Sequence, residues 1–419
     1  MRPDIILNAP KPAPNGGEVP AVVLDLDLAD PLPAVPGVAA DGRRVLRAWV
    51  LVRLFTEPLG AALIDVPPNG VRPAELGAAL GDAVGSRLGG LPLPIDGYSP
   101  ATEPPFLATR RAVLAAAPHI TVVVCTRERP GALARCLDSL IAQQYPAFRV
   151  LVVDNAPITG TTAEVTRAAA RRGPVEHLVE HRAGLSFARN AAVAAAPGQI
   201  LAWIDDDAVA DPHWLAEIAR ALDAYPKADV VSGVIVPAEL ESRTQLWFEM
   251  LNGVRDFELA VHRLGTARLH PYACGANMTF RPGVLERIGM FDTALGAGTP
   301  AMGAEDTQAL TRVLLGGGTI VHQPTALTHQ FHRHDLDGLR RHISGRSTGA
   351  VAAYLSLVLG KPSLLRSMPG ALREIWRRDA PADVPRELLR AGRRGLLAGP
   401  GAYVKGRRTA RTRDLRQKS

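Results

Sequence analysis

The residues in this chain best suited to chemistry are Asp205, Asp206 and Asp207, which follow the short apolar run Gln199–Ile204. Adjacent carboxylates repel one another and are costly to desolvate unless a positive charge lies among them. A hard divalent cation carrying a diphosphate would supply that charge, because Mg²⁺ accepts one or two carboxylates together with phosphate oxygens. A solvated acidic turn is the plain alternative. A second acid, Asp154, ends the apolar run Phe148–Val153 and is followed by Asn155. An Asp or Asn at such a strand end can accept a hydrogen bond from a nucleotide base or a ribose. Arg129 and Arg189 are forked donors able to offset phosphate charge.

The elements that must position these residues alternate. Ile120–Cys125, Phe148–Val153, Val175–Val179 and Ile200–Ile204 read as buried strands, and helical patterns lie between them. Short strand–helix alternation implies a largely parallel sheet with right-handed crossovers. The acids at 154 and at 205–207 would then share the carboxyl edge, where open α/β sheets bind ligands. No Walker loop and no G-x-G-x-x-G follows the first strand, which argues against a P-loop enzyme and against a dinucleotide fold.

The stretches Val124–Pro130, Val152–Asn155, Gly184–Asn190, Ile204–Asp207 and Gly303–Asp306 resemble, in order and spacing, those of a family 2 glycosyltransferase with the GT-A fold. The resemblance runs from Ile120 to about Gln323. It implies an α/β, Rossmann-like fold with a mainly parallel central sheet and flanking helices. It also implies a nucleotide-sugar donor, an acceptor glycan (lipid-linked or small-molecule) and a divalent cation, Mg or Mn. On this resemblance Thr126 and Arg129 match the nucleotide-contacting loop, Asp154 the acid that reads the base, and Arg189 an arginine near the diphosphate. Asp205 and Asp207 match the D-x-D acids, near the ribose and on the metal, which leaves Asp206 facing solvent. Inverting transfer needs a carboxylate to take the acceptor's proton, and the family's Glu-Asp pair makes Asp306 that base, with Glu305 contacting sugar or acceptor hydroxyls. Acids in a helix's first turn are also what its dipole favours. Tyr272–Arg281 matches a small-residue strand on the sugar and acceptor side.

His322, His329, His332 and His334 follow. Their spacing invites a zinc reading, but the run Thr328–Asp335 lacks the flanks of a zinc element and reads as a polar loop. By the resemblance, His329 is the one histidine placed to act as a further metal ligand.

The chain's 419 residues allow two or three domains. The expected division is a small N-terminal α/β module with a linker (1–105), a GT-A domain (115–335) and a helical extension with a basic tail (336–419). In the module, residues 1–40 look irregular, 44–53 and 60–66 look like strands, and a helix opens at Pro73. Three scattered cysteines (Cys125, Cys136 and Cys274) form no disulfide or zinc framework, which fits a reducing cytoplasmic setting. Neither a signal peptide nor a membrane-spanning segment is evident. The net charge of +7 is a property of the tail: residues 386–419 carry eleven Lys/Arg against two acids. Leu388, Leu389, Leu396 and Leu397 recur among those arginines. This pattern is compatible with peripheral contact at the inner face of a membrane and equally with a solvated, partly disordered tail. Nucleic acid is not an expected partner. Two other classes compete with the transferase: a silent GT-A binding module and a nucleotidyltransferase. The latter usually carries a Gly-rich basic loop after its first strand, whereas here that loop, Thr126–Pro130, has no glycine until Gly131.

Overall fold

The structure is a computed structural model that describes residues 17–88, 93, 95–99, 104–252, 257–264, 274–366 and 384–418. In chain order the strands and helices begin with β1 (Glu18–Val19), β2 (Val22–Asp27), β3 (Arg44–Val45), β4 (Arg47–Leu54), β5 (Glu57–Asp65) and α1 (Pro73–Val84). Next come α2 (Pro105–Ala115), β6 (Ile120–Thr126), α3 (Pro130–Ile141), β7 (Phe148–Asn155), α4 (Thr161–Ala170), β8 (Val175–Glu180), α5 (Leu185–Ala195) and β9 (Ile200–Asp205). They are followed by β10 (Ala208–Ala210), α6 (Trp214–Ala224), β11 (Val230–Pro237), α7 (Arg243–Asn252), β12 (Ala260–His262) and β13 (Met278–Phe280). The series closes with α8 (Val284–Ile288), α9 (Glu305–Leu315), β14 (Ile320–Gln330), α10 (Leu336–Gly360) and the C-terminal helix Arg386–Lys418.

Two compact units share these elements. The smaller comprises the described parts of Met1–Thr109, Val236–Phe257 and Gln330–Leu336, and the larger those of Arg110–Ile235, Glu258–His329 and Asp337–Ser419. In the smaller unit β4 is the middle strand, parallel to β2 and antiparallel to β5. Its Ala48, Val50 and Val52 pack with Leu76, Leu80 and Val84 of α1, three positions that share a helix face. Residues 22–27, expected to be irregular, form β2. The flanking prolines disguise a strand whose ladder is completed only by β4. The histidine run is not a simple polar loop either. His332 is buried in this unit, stacked 4.2 Å from the Phe248 ring and 3.3 Å from Glu249 Oε2.

The larger unit holds a sheet ordered β10-β14-β11-β13-β9-β6-β7-β8, with β12 pairing β14. Strands β9, β6, β7 and β8 are parallel, as the alternation predicts, and β13 runs antiparallel between β9 and β11. Both faces are covered, which is why these strands read as continuous apolar runs. Val122, Val124, Val150 and Val152 pack on α3 and α6, while Val123, Leu151 and Val153 pack on α5 and α9. The helical extension expected over 336–419 opens with the single 25-residue helix α10. Among the described residues no helix is long and apolar enough to cross a membrane.

The basic tail is not disordered. It is the C-terminal helix, whose inner face lies against the larger unit. Tyr403 joins a cluster with Ala294, Leu295 and Ala352, and its hydroxyl donates to Asp292 Oδ2 at 2.9 Å. Gly395, Gly399 and Gly406 sit where a Cβ would strike Ser344 O, Val351 and Ala294 O, so the small residues set how closely the helix approaches.

Candidate active site

Parallel register brings the sequence-predicted acids to one edge. Thr126, the last residue of β6, pairs with Asp154 of β7, and Cys125 pairs with Asp205 of β9. The strands end here because a run of buried apolar residues gives way to side chains that need polar partners. The loop from β6 to α3 is fixed at Glu128, whose backbone is left-handed (φ 53°). Its carboxylate accepts from the Ile158 and Thr159 amides at 2.8 and 3.0 Å and from Thr159 Oγ1 at 2.6 Å. Pro130, at the start of α3, then sets the helix direction.

Asp206 does not face solvent. Its side chain is 6% exposed, Oδ2 accepts from Thr126 Oγ1 at 2.7 Å, and Oδ1 accepts from Arg129 Nη1. Arg129 Nη2 donates to Asp207 Oδ2 at 2.9 Å, so one guanidinium bridges two of the three acids. The turn after β9 therefore points its middle carboxylate inward, against the β6 loop. That direction depends on the backbone turn, which residue types alone do not reveal.

Asp205 lies on the other side. Its Oδ1 is 3.8 Å from Arg189 Nη2, while Arg189 Nη1 is 3.5 Å from Glu305 Oε1. Arg189 is 3% exposed, and its guanidinium carbon sits 5.6 Å from the Trp203 ring centre and 5.4 Å from that of Phe291. Instead of reaching into an open cleft, it is a buried cation facing two carboxyls and two aromatic faces. Burial, and then Asp207, push the Asp205 carboxyl up to about 7, even though 37% of its side chain is open to solvent. Burial pushes Glu305 up to about 7 as well, against the pull of Arg189.

Asp306 opens α9 beside Glu305. Its Oδ2 accepts from the Gly275 amide at 2.6 Å and its Oδ1 from the Thr307 amide at 2.6 Å, which fixes the carboxylate plane. Gly275 also presents its carbonyl to Arg189 Nη2 at 3.4 Å, and a Cβ there would lie 2.2 Å from that nitrogen. Only glycine lets this backbone come so close. Gly275 lies in a small-residue stretch, and the smallness of Cys274-Gly275-Ala276 is the one local signal of its contact with Asp306. Asp154 is 2% exposed, and its carboxyl is pushed up by burial. Its Oδ2 lies 3.4 Å from His177 Nε2. Neighbouring Asn155 accepts the Gly184 amide at 2.8 Å and so ties the start of α5 to the end of β7.

The predicted metal ligands are only partly assembled. Asp205 and Asp207 share one turn, but they face Arg189 and Arg129 respectively. His329 is buried on β14. Among the described residues no three His, Cys, Asp or Glu side chains are grouped to hold a metal ion.

The C-terminal helix reaches the rim of this site. Arg413 Nη1 donates to Ala183 O and, at 3.3 Å, to Gly298 O, while Asp414 Oδ1 accepts from Arg182 Nη1 at 3.0 Å. Those carbonyls lie in the segments leading into α5 and α9, the helices that carry Arg189 and the Glu305–Asp306 pair. Nothing local in the sequence signals this brace.

Residues 121–289 match the profile of Glycosyl transferase family 2. The chain is 26% identical over 186 residues to the glucosyl-dolichyl phosphate glucuronosyltransferase of Haloferax volcanii, covering 42% of this chain and 57% of that protein. It is 31% identical over 246 residues to the succinoglycan biosynthesis protein ExoM of Rhizobium meliloti, covering 56% of this chain and 75% of that protein. The chain thus spans little more than half the length of the first relative. Among solved structures it is similar to the mannosyltransferase PcManGT from Pyrobaculum calidifontis, in complex with GDP-Man and Mn²⁺, at 22% identity and a TM-score of 0.44, covering 73% of this chain and 81% of that one. With the profile lying over the strands that carry the site, and with ExoM covered across three quarters of its length, the chain belongs to the family 2 glycosyltransferases and has the GT-A type of α/β fold.

Proposed function

We propose that the larger unit transfers a sugar from a nucleoside-diphosphate donor to an acceptor hydroxyl, with inversion at the anomeric carbon. The observation that carries this reading is the gathering of Thr126, Asp154 and Asp205–Asp207 at one sheet edge, with the Asp306 carboxylate oriented by two amides beside the Arg189–Glu305 pair. Asp154 and Thr126 would receive the nucleoside, with Asp205 toward the ribose. Arg129, already shared between two acids, would turn one donor toward the diphosphate. Asp306 would accept the acceptor hydroxyl's proton as that oxygen bonds to the anomeric carbon and the bond to the diphosphate oxygen breaks. Glu305, buried 3.5 Å from Arg189, would hold that guanidinium and contact sugar or acceptor hydroxyls.

Two carboxylates a residue apart suit Mg²⁺ or Mn²⁺, which complete their shells with phosphate oxygens and water. Asp205 and Asp207 would hold the ion, with His329 the remaining candidate ligand, and a cation there would offset the burial and the Asp207 charge that push the Asp205 carboxyl up. When bound, such an ion supplies charge to the departing diphosphate. The Haloferax relative, a glucosyl-dolichyl phosphate glucuronosyltransferase by name, favours a lipid-linked glycan as acceptor.

The test is thermal stabilisation of the purified protein by UDP, GDP and dTDP, each with and without Mn²⁺ or Mg²⁺. One nucleotide should stabilise, and only with the cation. Asp306→Asn should keep that response and lose transfer by roughly 10²–10⁴-fold. Wild-type turnover in Asp306→Asn removes it as the base, and cation-independent nucleotide binding removes the metal role.

A further inference from the structure

The C-terminal helix has a second face that the site does not use. At 3.6 residues per turn, Arg390, Leu397, Val404, Arg408, Arg411 and Leu415 fall within an arc of about 60°. The buried Leu388, Ala391, Tyr403 and Ala410 lie on the opposite side. All six residues of the arc are exposed. The three apolar ones are the unusual feature: Leu397 is 79% exposed, Leu415 70% and Val404 48%. Among the residues of the helix whose side chains are described, eight Lys/Arg are exposed against one exposed acid, Glu387. A face meant only for water would not centre three large apolar side chains among arginines, and a face meant for the core would not carry the arginines. Basic side chains flanking a line of Leu and Val suit an anionic bilayer surface. There the apolar groups enter the acyl boundary and the guanidinium groups meet lipid phosphates.

We propose that this outer face docks the protein on membranes rich in anionic lipid, and that it does so independently of sugar transfer. An apolar stripe carries little advantage on a nucleic-acid backbone, which rewards charge alone.

The experiment is co-sedimentation of the full chain with phosphatidylcholine vesicles and with vesicles containing about a third phosphatidylglycerol, at about 0.1 M and 0.5 M NaCl. Binding should require phosphatidylglycerol and weaken with salt. The triple variant Arg390→Glu/Arg408→Glu/Arg411→Glu should lose partitioning by on the order of a hundredfold, at about fivefold or more per charge. Leu397→Gln/Leu415→Gln should weaken binding while leaving all the charges in place. Both variants should keep the wild-type melting temperature and nucleotide response, which shows that the fold survives. Equal binding to both vesicle types, no binding at low salt, or an unaffected triple variant overturns the proposal. So does full binding by the leucine variant together with displacement by a generic RNA, which would make the face a polyanion site.

Discussion

Arg189→Met is the most informative single change. Met keeps the unbranched stem and removes a guanidinium that is 3% exposed and lies 3.8 Å from Asp205 and 3.5 Å from Glu305. Removing one partner of a buried ion pair costs about 3–5 kcal/mol, because the other charge stays buried without compensation. At about 2–3 °C per kcal/mol for a unit of this size, the melting temperature should fall by roughly 6–15 °C. The pH dependence separates this mechanism from simple packing loss. Asp205 and Glu305 both titrate near 7 in the folded protein, well above an unfolded carboxyl. A raised carboxyl leaves the folded state holding more protons than the unfolded one, so stability falls as pH rises through the folded value. In the wild type that loss ends just above pH 7. Without the arginine both carboxyls move higher, and the loss continues. Thermal unfolding by calorimetry near pH 6 and near pH 9 should therefore show a deficit that widens with pH. A deficit that is flat across that range, or no deficit at all, would refute the assignment of Arg189 as the countercharge of this pair.

Gly275→Ala would place a Cβ 2.2 Å from Arg189 Nη2 and disturb the amide that orients Asp306. Transfer should drop by about 10²-fold, with a stability loss of only about 1–3 kcal/mol by urea titration. Glu305→Gln removes one raised carboxyl. Its share of the wild type's loss, about 3 kcal/mol between pH ~4.5 and ~7, should vanish while the share of Asp205 remains, read as a flatter curve of melting temperature against pH. Asp206→Asn weakens the charge-assisted bonds to Arg129 and Thr126 by about 1.5–3 kcal/mol. Its nucleotide-induced thermal shift should shrink although Asp206 is neither an outer acid of the triplet nor the base.

The strands and helices around the site were legible because both sheet faces are buried, so apolar runs and helical spacing appear directly in the residue order. Asp154 and Asp205 stand at strand ends, and the period fixes where those ends come. The direction of Asp206 was not legible, because a tight turn between two carboxylates can aim any of the three inward. Nor was the burial of Arg189: a guanidinium reads as a phosphate donor until Trp203, Phe291 and Glu305, up to 116 residues away, are seen to enclose it. The histidine run misled for a similar reason. His332 is held by Phe248 and Glu249, more than 80 residues earlier. The C-terminal helix gave compositional hints of its outer face, and none of its inner contacts.

Arg413 meets Ala183 across a sequence separation of 230 residues. The sheet and its covering helices can gather through much nearer contacts, and so distant a closure carries the larger loop-entropy cost. In refolding, the fastening of the segments entering α5 and α9 is therefore expected to follow the pairing of the strands. Recovery of circular dichroism and recovery of catalysis then become two clocks, with the second running behind the first.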